Sequence, residues 1–291
     1  MLLFEARMAY KINSNQAIKD RIKLLWGFVP GKFHKLTPGP LREQNLVLNE
    51  AEHAGFAIAY HSDGHLLSKE NRNYFLRINS SDYLVFQQVI LGKEYQPLID
   101  IAKKTFKDKT LTLVDAGANV GFATLALASE LKLNKVICIE PDSGNFKNLE
   151  ANLKSNQLNQ AKLLKTGLWN KETRLKVSTN FRDGREWSLS LEETSADDKQ
   201  GFDCVSLESL FKNYQLERID ILKIDIEGGE KTVFEGLQNQ PELLYKIGII
   251  AVEIHDEIAD RALINTQLMA AGFSLETIGE TTLAINQNLE L

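Results

Sequence analysis

A chain of 291 residues, 43% of them hydrophobic and 25% charged, can bury a full core without metal or disulfide staples. Its net charge of −5 gives no general basic footprint, so nucleic acid is not an expected partner. Cys138 and Cys204 form no CxxC pair, no run reaches the roughly 18–20 apolar residues of a membrane span, and the start MLLFEARMAYKINSNQ lacks the apolar run of a signal peptide, so a cytoplasmic location is expected.

Residues 1–109 show no strand–helix alternation and carry the turn cluster HKLTPGP. They read as a mixed N-terminal extension that shapes a substrate pocket, with a second domain over 110–291. Within the extension, Ser80-Ser81-Asp82 reads as a helix cap, followed by an apolar helix face of Tyr83, Phe86, Val89 and Ile90. The segment PLIDIAKKTF from Pro97 reads as a further helix.

From Leu111 the pattern becomes strand, helix, strand. LTLVDA is a first strand and Phe122–Leu131 a helix; KVICIEP is a second strand. NFKNLEANLKSN follows as a helix with the stripe Phe146, Leu149 and Leu153, and AKLLKTGLW as a third strand. Lys171 to Ser206 is polar and turn-rich, with a hairpin turn expected at Arg182–Gly184. Asp220–Ile226 is a fourth strand, Lys231–Leu237 a helix and IGIIAVEI a fifth strand. A helix over Ile258–Ala271 stops at Gly272, and FSLETIG with TTLAINQN reads as a closing antiparallel hairpin.

The turn after the first strand is DAGANVG. A dinucleotide fingerprint counted from Gly117 needs glycine at 119 and 122, but those positions hold Asn119 and Phe122. The looser turn suits a ligand without phosphates. Gly117 and Gly121 allow close backbone approach, Asp115 is placed to take an ammonium group, and Asn119 to bond either a carboxylate or the turn itself. Glu140 ends the second strand 25 residues after Asp115, where an acid can accept two ribose hydroxyls. Trp169 reads equally as a base-stacking ring or as core, and Asn170 as an adenine contact or a surface turn.

LKIDIEGGE carries the second argument. Lys223, Asp225 and Glu227 alternate with Leu222, Ile224 and Ile226 along a strand, and a buried Lys and Asp are costly unless paired or wet. The strand must therefore open into a cleft. VEIH repeats the device with Glu253 and His255. Three readings stay open. His255 is a general base, with Asp225, Lys223 and Glu253 orienting the acceptor. Alternatively, a divalent cation such as magnesium sits on Asp225, Glu227 and Glu253. Or the charges form a salt-bridge network that only shapes the cleft. Combined with the glycine turn, these features point to methyl transfer from S-adenosylmethionine.

VDAGANVGF, IEPD with NFKNLEANLKSN, and IDILKIDIEGGE with VEIH together resemble the FkbM family of S-adenosylmethionine-dependent methyltransferases. The resemblance covers about Leu111 to His255, with weaker likeness upstream in YFLRINSSDYLVFQQVILGKEY. It implies the class I methyltransferase fold, a Rossmann-like α/β domain whose seven-stranded sheet has an antiparallel last strand. It also implies O-methylation of a hydroxyl on a carbohydrate or small metabolite. Asp115, Gly117, Asn119, Gly121 and Glu140 match the family's cofactor motif, and Asp225, Glu227, Gly228, Glu253 and His255 its acidic and strand-five motifs. Gly167-Leu168-Trp169-Asn170 departs from it, since many relatives carry an acid at the last position. Two other classes remain: a non-catalytic nucleotide-binding protein of the same fold, and an NAD-dependent oxidoreductase, which the missing glycines oppose. Oligomeric state is not legible.

Overall fold

The computed structural model describes residues 39–178, 190–195, 197–226, 228–256 and 259–289. Two compact units divide them, one reaching to Glu94 and including Glu150–Leu158, the other Tyr95–Leu149 with Asn159 onward.

The first unit holds helix α1 (Gly39–His53), then strands β1 (Ala57–Tyr60), β2 (Gly64–Lys69) and β3 (Arg72–Arg77) in an antiparallel meander. Helix α2 (Asp82–Phe86) follows and runs into one π-helical turn, Gln87–Leu91. Within the Ser80-Ser81-Asp82 cap, the first serine supplies the oxygen. Ser81 makes no side-chain capping bond; the Ser80 hydroxyl accepts from the Asp82 N–H at 3.2 Å. Asp82 is buried and clasps Arg77 in a fork, through Nε at 2.9 Å and Nη2 at 2.7 Å. Phe56, Tyr74 and Phe86 pack edge to face around this meander. The exposed edge of β3 is satisfied by two amides. Asn156 Oδ1 accepts from Asn73 N at 2.9 Å and Asn152 Oδ1 from Phe75 N at 2.8 Å.

The second unit opens with helix α3 (Gln96–Phe106) and strand β4 (Leu111–Ala116). Helix α4 (Phe122–Glu130), strand β5 (Leu133–Ile139), helix α5 (Ser143–Ser155), whose residues from Glu150 on belong to the first unit, and strand β6 (Lys162–Leu164) follow. A small sheet comes next, from β7 (Gly167–Trp169), β8 (Thr173–Ser178), β9 (Ser190–Glu193) and β10 (Phe202–Ser206). The chain closes with α6 (Leu207–Asn213), β11 (Ile219–Ile224), α7 (Glu230–Gln238), α8 (Pro241–Leu244), β12 (Ile247–Glu253), α9 (Arg261–Ala270), β13 (Phe273–Ile278) and β14 (Thr281–Asn286).

Seven of these strands form one sheet in the order β13-β14-β12-β11-β4-β5-β6. The five strands from β12 to β6 are parallel to their neighbours, and β14, the last strand, runs antiparallel to both β12 and β13. That is the class I methyltransferase sheet, as expected. The chain builds outward from β4 through β5 to β6, then returns to lay β11 on the other side of β4. The carboxyl ends of β4 and β11 thus flank a topological switch point, where open α/β sheets leave a crevice. All six residues of β11 are buried, consistent with a central parallel strand covered on both faces.

Several expectations change in detail. AKLLKTGLW is not one strand: β6 stays in the main sheet, while β7 pairs in parallel with β10 in a four-stranded sheet of order β7-β10-β8-β9. Thr166 stands at the break, its hydroxyl donating to Asp203 O. Lys171–Ser206 therefore carries three strands, β8, β9 and β10, among its described residues, with the Arg182–Gly184 turn lying outside them. Strand four ends at Ile224, so Asp225 and Ile226 have already left it. The last helix starts at Arg261, because Asp260 caps it by accepting from Leu263 N at 3.1 Å. The PLIDIAKKTF helix belongs to the second unit rather than to the N-terminal one.

Candidate active site

The glycine turn is shaped by its neighbours. Gly117 sits at φ +75°, and a Cβ there would lie 1.6 Å from the carbonyl oxygen of Asp225. Only glycine lets the exits of β4 and β11 approach this closely. Gly121, at φ +89°, is the N-cap of α4. Asn119 lies in the left-handed region at φ +49°. Its backbone N–H donates to Glu140 Oε2 at 2.9 Å, while Glu140 Oε1 accepts from Asp142 N at 2.8 Å. The carboxyl group thus closes the turn from the tip of β5. Burial pushes the Glu140 carboxyl above the usual range, outweighing the two N–H groups that favour its charged form.

Lys223 lies behind this turn. Its Nζ donates to the Gly117 carbonyl at 2.6 Å and stands 3.3 Å from both Asp115 Oδ1 and Asp225 Oδ2. Burial alone would lower its pKa, but Asp115, then Tyr95 and Asp225, hold it well above the ordinary lysine value. Asp115 is fully buried, its second oxygen accepting from Thr124 Oγ1 at 2.5 Å.

A cavity of about 260 Å³ opens in front of the turn. Gly117, Asn119, Glu140, Trp169 and Asp225 line its polar side. Leu168, Leu175, Leu191, Phe202 and Cys204 line an apolar end supplied by the small sheet. Asn119 Oδ1 is buried without a hydrogen-bond partner, an acceptor left unsatisfied on the glycine turn. An acceptor on the glycine turn, a carboxyl one strand away and an apolar far end fit a nucleoside carrying a polar amino-acid group. Glu140 suits ribose hydroxyls, Asn119 and Gly117 the amino-acid end, and the apolar end a base.

Next to Asp225 stands a second cluster. One ligand atom each from Asp225, Glu253 and His255 lie within 4.8 Å of one another, and all three residues are half-buried. His255 Nδ1 is 3.1 Å from Glu230 Oε1, and its Nε2 is 4.0 Å from Glu253 Oε1. The loop after β12 is pinned by Arg261, which donates to Ile254 O at 2.7 Å and to the Asp256 carboxylate at 2.9 Å.

The structure therefore gathers Gly117, Asn119, Glu140, Trp169 and Asp225 around one cavity and sets Glu253 and His255 beside it. Four expected residues stand outside the cavity lining. Asp115 pairs with Lys223 and Thr124 and does not line the cavity. Lys223 is held charged by its partners behind the turn and does not line it either. Gly121 shapes the helix start and does not line the cavity either. Asn170 packs against α7, its Cβ 2.6 Å from where a Cβ on Gly236 would sit, and is likewise absent from the lining. Glu227 lies outside the described residues. Sequence reasoning missed Leu175, Leu191, Phe202 and Cys204, because they sit singly in a segment whose overall polarity reads as loop. It also missed that Glu230 reaches His255.

Sheet order and crevice together define an S-adenosylmethionine-dependent methyltransferase fold. The Methyltransferase FkbM domain matches residues 115–281, more than half of the chain, and the chain belongs to that family. It is similar to "Methyltransferase 1" of Beauveria bassiana (strain ARSEF 2860), 24% identical over 209 residues, covering 66% of this chain and 80% of the relative. Among solved structures it is similar to the METTL16 MTase domain, at 13% identity and TM-score 0.48 over 98% of this chain and 92% of that one. It is also similar to magnesium protoporphyrin IX methyltransferase (ChlM) from Synechocystis PCC 6803 with bound SAM, at 13% identity and TM-score 0.44 over 73% and 86%.

Proposed function

We propose that this methyltransferase is an O-methyltransferase acting on a hydroxyl of a carbohydrate or small metabolite, with His255 as the general base. The observation that carries this reading is that Asp225 belongs to both halves of the site: it lines the donor cavity and stands within the His255 cluster. When bound, S-adenosylmethionine supplies a sulfonium methyl group open to attack by an oxygen, the carbon–sulfur electron pair leaving on sulfur. Glu140 accepts the ribose hydroxyls, and Asn119 and the Gly117 turn hold the amino-acid end. Leu168, Phe202 and Trp169 enclose the base. His255 takes the proton from the acceptor hydroxyl, while Asp225 and Glu253 orient that hydroxyl.

A substrate-shaping role for the N-terminal extension and a cytoplasmic location are parts of the same reading. Among the described residues no helix is long and apolar enough to cross a membrane. The acidic balance of the chain supports a small acceptor over nucleic acid.

Calorimetric titration with S-adenosylmethionine or S-adenosylhomocysteine tests the donor half: micromolar binding is expected, and folded protein that binds neither at millimolar ligand overturns it. The close donor atoms of Asp225, Glu253 and His255 favour a second reading, a magnesium ion that activates the acceptor oxygen. Magnesium titrated into the protein with S-adenosylhomocysteine separates the two, since saturable micromolar heat supports the ion and none supports the base.

A further inference from the structure

We propose that Glu230 is the positioning residue for His255: it keeps the imidazole proton on Nδ1 and turns the Nε2 lone pair toward Asp225 and Glu253. This rests on the reading of His255 as proton acceptor, and it deepens that reading by naming what sets the acceptor nitrogen.

Glu230 is the first residue of α7 and its side chain is fully buried. Its Oε1 accepts from the backbone N–H of Ile226 at 3.2 Å and of Gly228 at 3.3 Å, and meets His255 Nδ1 at 3.1 Å. An oxygen already receiving two N–H bonds has no proton to offer a third partner. The ring nitrogen must therefore be the donor in that contact, which fixes the neutral imidazole as Nδ1–H and leaves the lone pair on Nε2. Nε2 is also the nitrogen nearer Glu253, at 4.0 Å.

The arrangement follows from the fold. β11 and β12 are parallel neighbours, with Ile224 opposite Val252, so the chain just after each strand lies side by side. Glu230, the first residue of α7, thereby meets His255 just beyond β12. The helix start and two backbone N–H groups then favour an acceptor at this buried position. A glutamate needed only to begin the helix would be served by those N–H groups alone. The imidazole contact is additional, and it gives the ring what a carboxylate gives the histidine of a catalytic triad: a chosen tautomer, a fixed ring plane and a counter-charge when the proton arrives.

The test uses the full chain labelled with 15N. The sequence has five histidines, so long-range imidazole spectra are tractable and the His255→Gln variant assigns the ring. Wild-type protein near neutral pH is expected to show His255 as Nδ1–H. Glu230→Met, of similar length but with no oxygen to accept from Nδ1–H, is expected to shift the dominant form to Nε2–H, whereas Glu230→Gln, whose amide oxygen can take the place of Oε1 between the same two backbone N–H groups, is expected to keep Nδ1–H. A wild-type ring found as Nε2–H or as imidazolium overturns the proposal, even if a variant fails to fold. So does a folded Glu230→Met protein whose tautomer is unchanged. Failure of the wild-type protein to bind S-adenosylhomocysteine overturns the methyltransferase reading instead, and the tautomer is still read from the same sample.

Discussion

The two halves of the site are built from different materials. The donor half is backbone and charge: Gly117 admits the Asp225 carbonyl, and the buried Lys223 ties the buried Asp115, the Gly117 carbonyl and the half-buried Asp225 into one knot behind the turn. The reacting half is made of side chains, Asp225, Glu253 and His255, each half-buried and held through short links to loops. A knot of buried charges is rigid because every alternative leaves a charge unpaired. Half-exposed groups keep freedom to change partners or protonation state. The difference predicts that damage to the first half is felt as lost stability and damage to the second as lost chemistry.

The largest effect is expected from Lys223→Met. It leaves Asp115 buried beside Thr124 with no cation, at a cost of about 3–5 kcal/mol, and urea unfolding should show it. A change under about 1 kcal/mol would mean the knot is not holding the turn. On the other side of the comparison, His255→Gln should leave urea stability and the Kd for S-adenosylmethionine close to wild type. Methyl transfer to an acceptor hydroxyl, followed by mass spectrometry, should fall by about 10²–10⁴-fold. Turnover within about threefold of wild type would remove His255 from the chemistry.

This contrast also explains what could be read from the sequence. Gly117, Asn119 and Glu140 were legible because a strand, a glycine turn and an acid at the next strand end occur in a fixed order that only a βαβ crevice satisfies. Lys223 and Asp225 announced themselves as charges in an apolar strand. Their pairing was one of three open readings, and Asp115 looked like a ligand contact because a carboxylate at a strand tip reads the same whether it faces a cavity or a lysine. The β7–β10 sheet was hidden: Leu175, Leu191, Phe202 and Cys204 line the cavity from short strands too polar on average to reveal their inner face. The Glu230 contact was hidden too, since His255 lies 25 positions later and meets it only because β11 and β12 are parallel neighbours.

Glu140 spans the comparison, since it is a donor-side group with a buried carboxyl. Glu140→Gln removes a charged acceptor for two ribose hydroxyls, and S-adenosylmethionine binding should weaken by about 10–100-fold by calorimetry. An unchanged Kd would place the ribose elsewhere.

The smallest effect expected is on stability, and its sign runs opposite to the loss of binding. Burial holds the folded carboxyl of Glu140 above its ordinary value of 4.5, so the native state keeps this proton at a pH where the unfolded chain has released it. The native state then binds more protons than the unfolded state across that interval, and stability falls as pH rises. The contribution of the neutral group is fully present below the unfolded value and is lost as pH climbs through the raised folded one. Glutamine carries no such dependence. Urea unfolding of wild type and Glu140→Gln across that interval should therefore show a gap that grows with pH in favour of the variant. Saturating S-adenosylhomocysteine should narrow it, because ribose hydroxyls favour the charged carboxylate. A gap that stays flat, or that opens in favour of the wild type, would mean that the N–H groups of Asn119 and Asp142 outweigh burial. Glu140 would then belong with the self-satisfied knot around Lys223 instead of with groups that wait for a ligand.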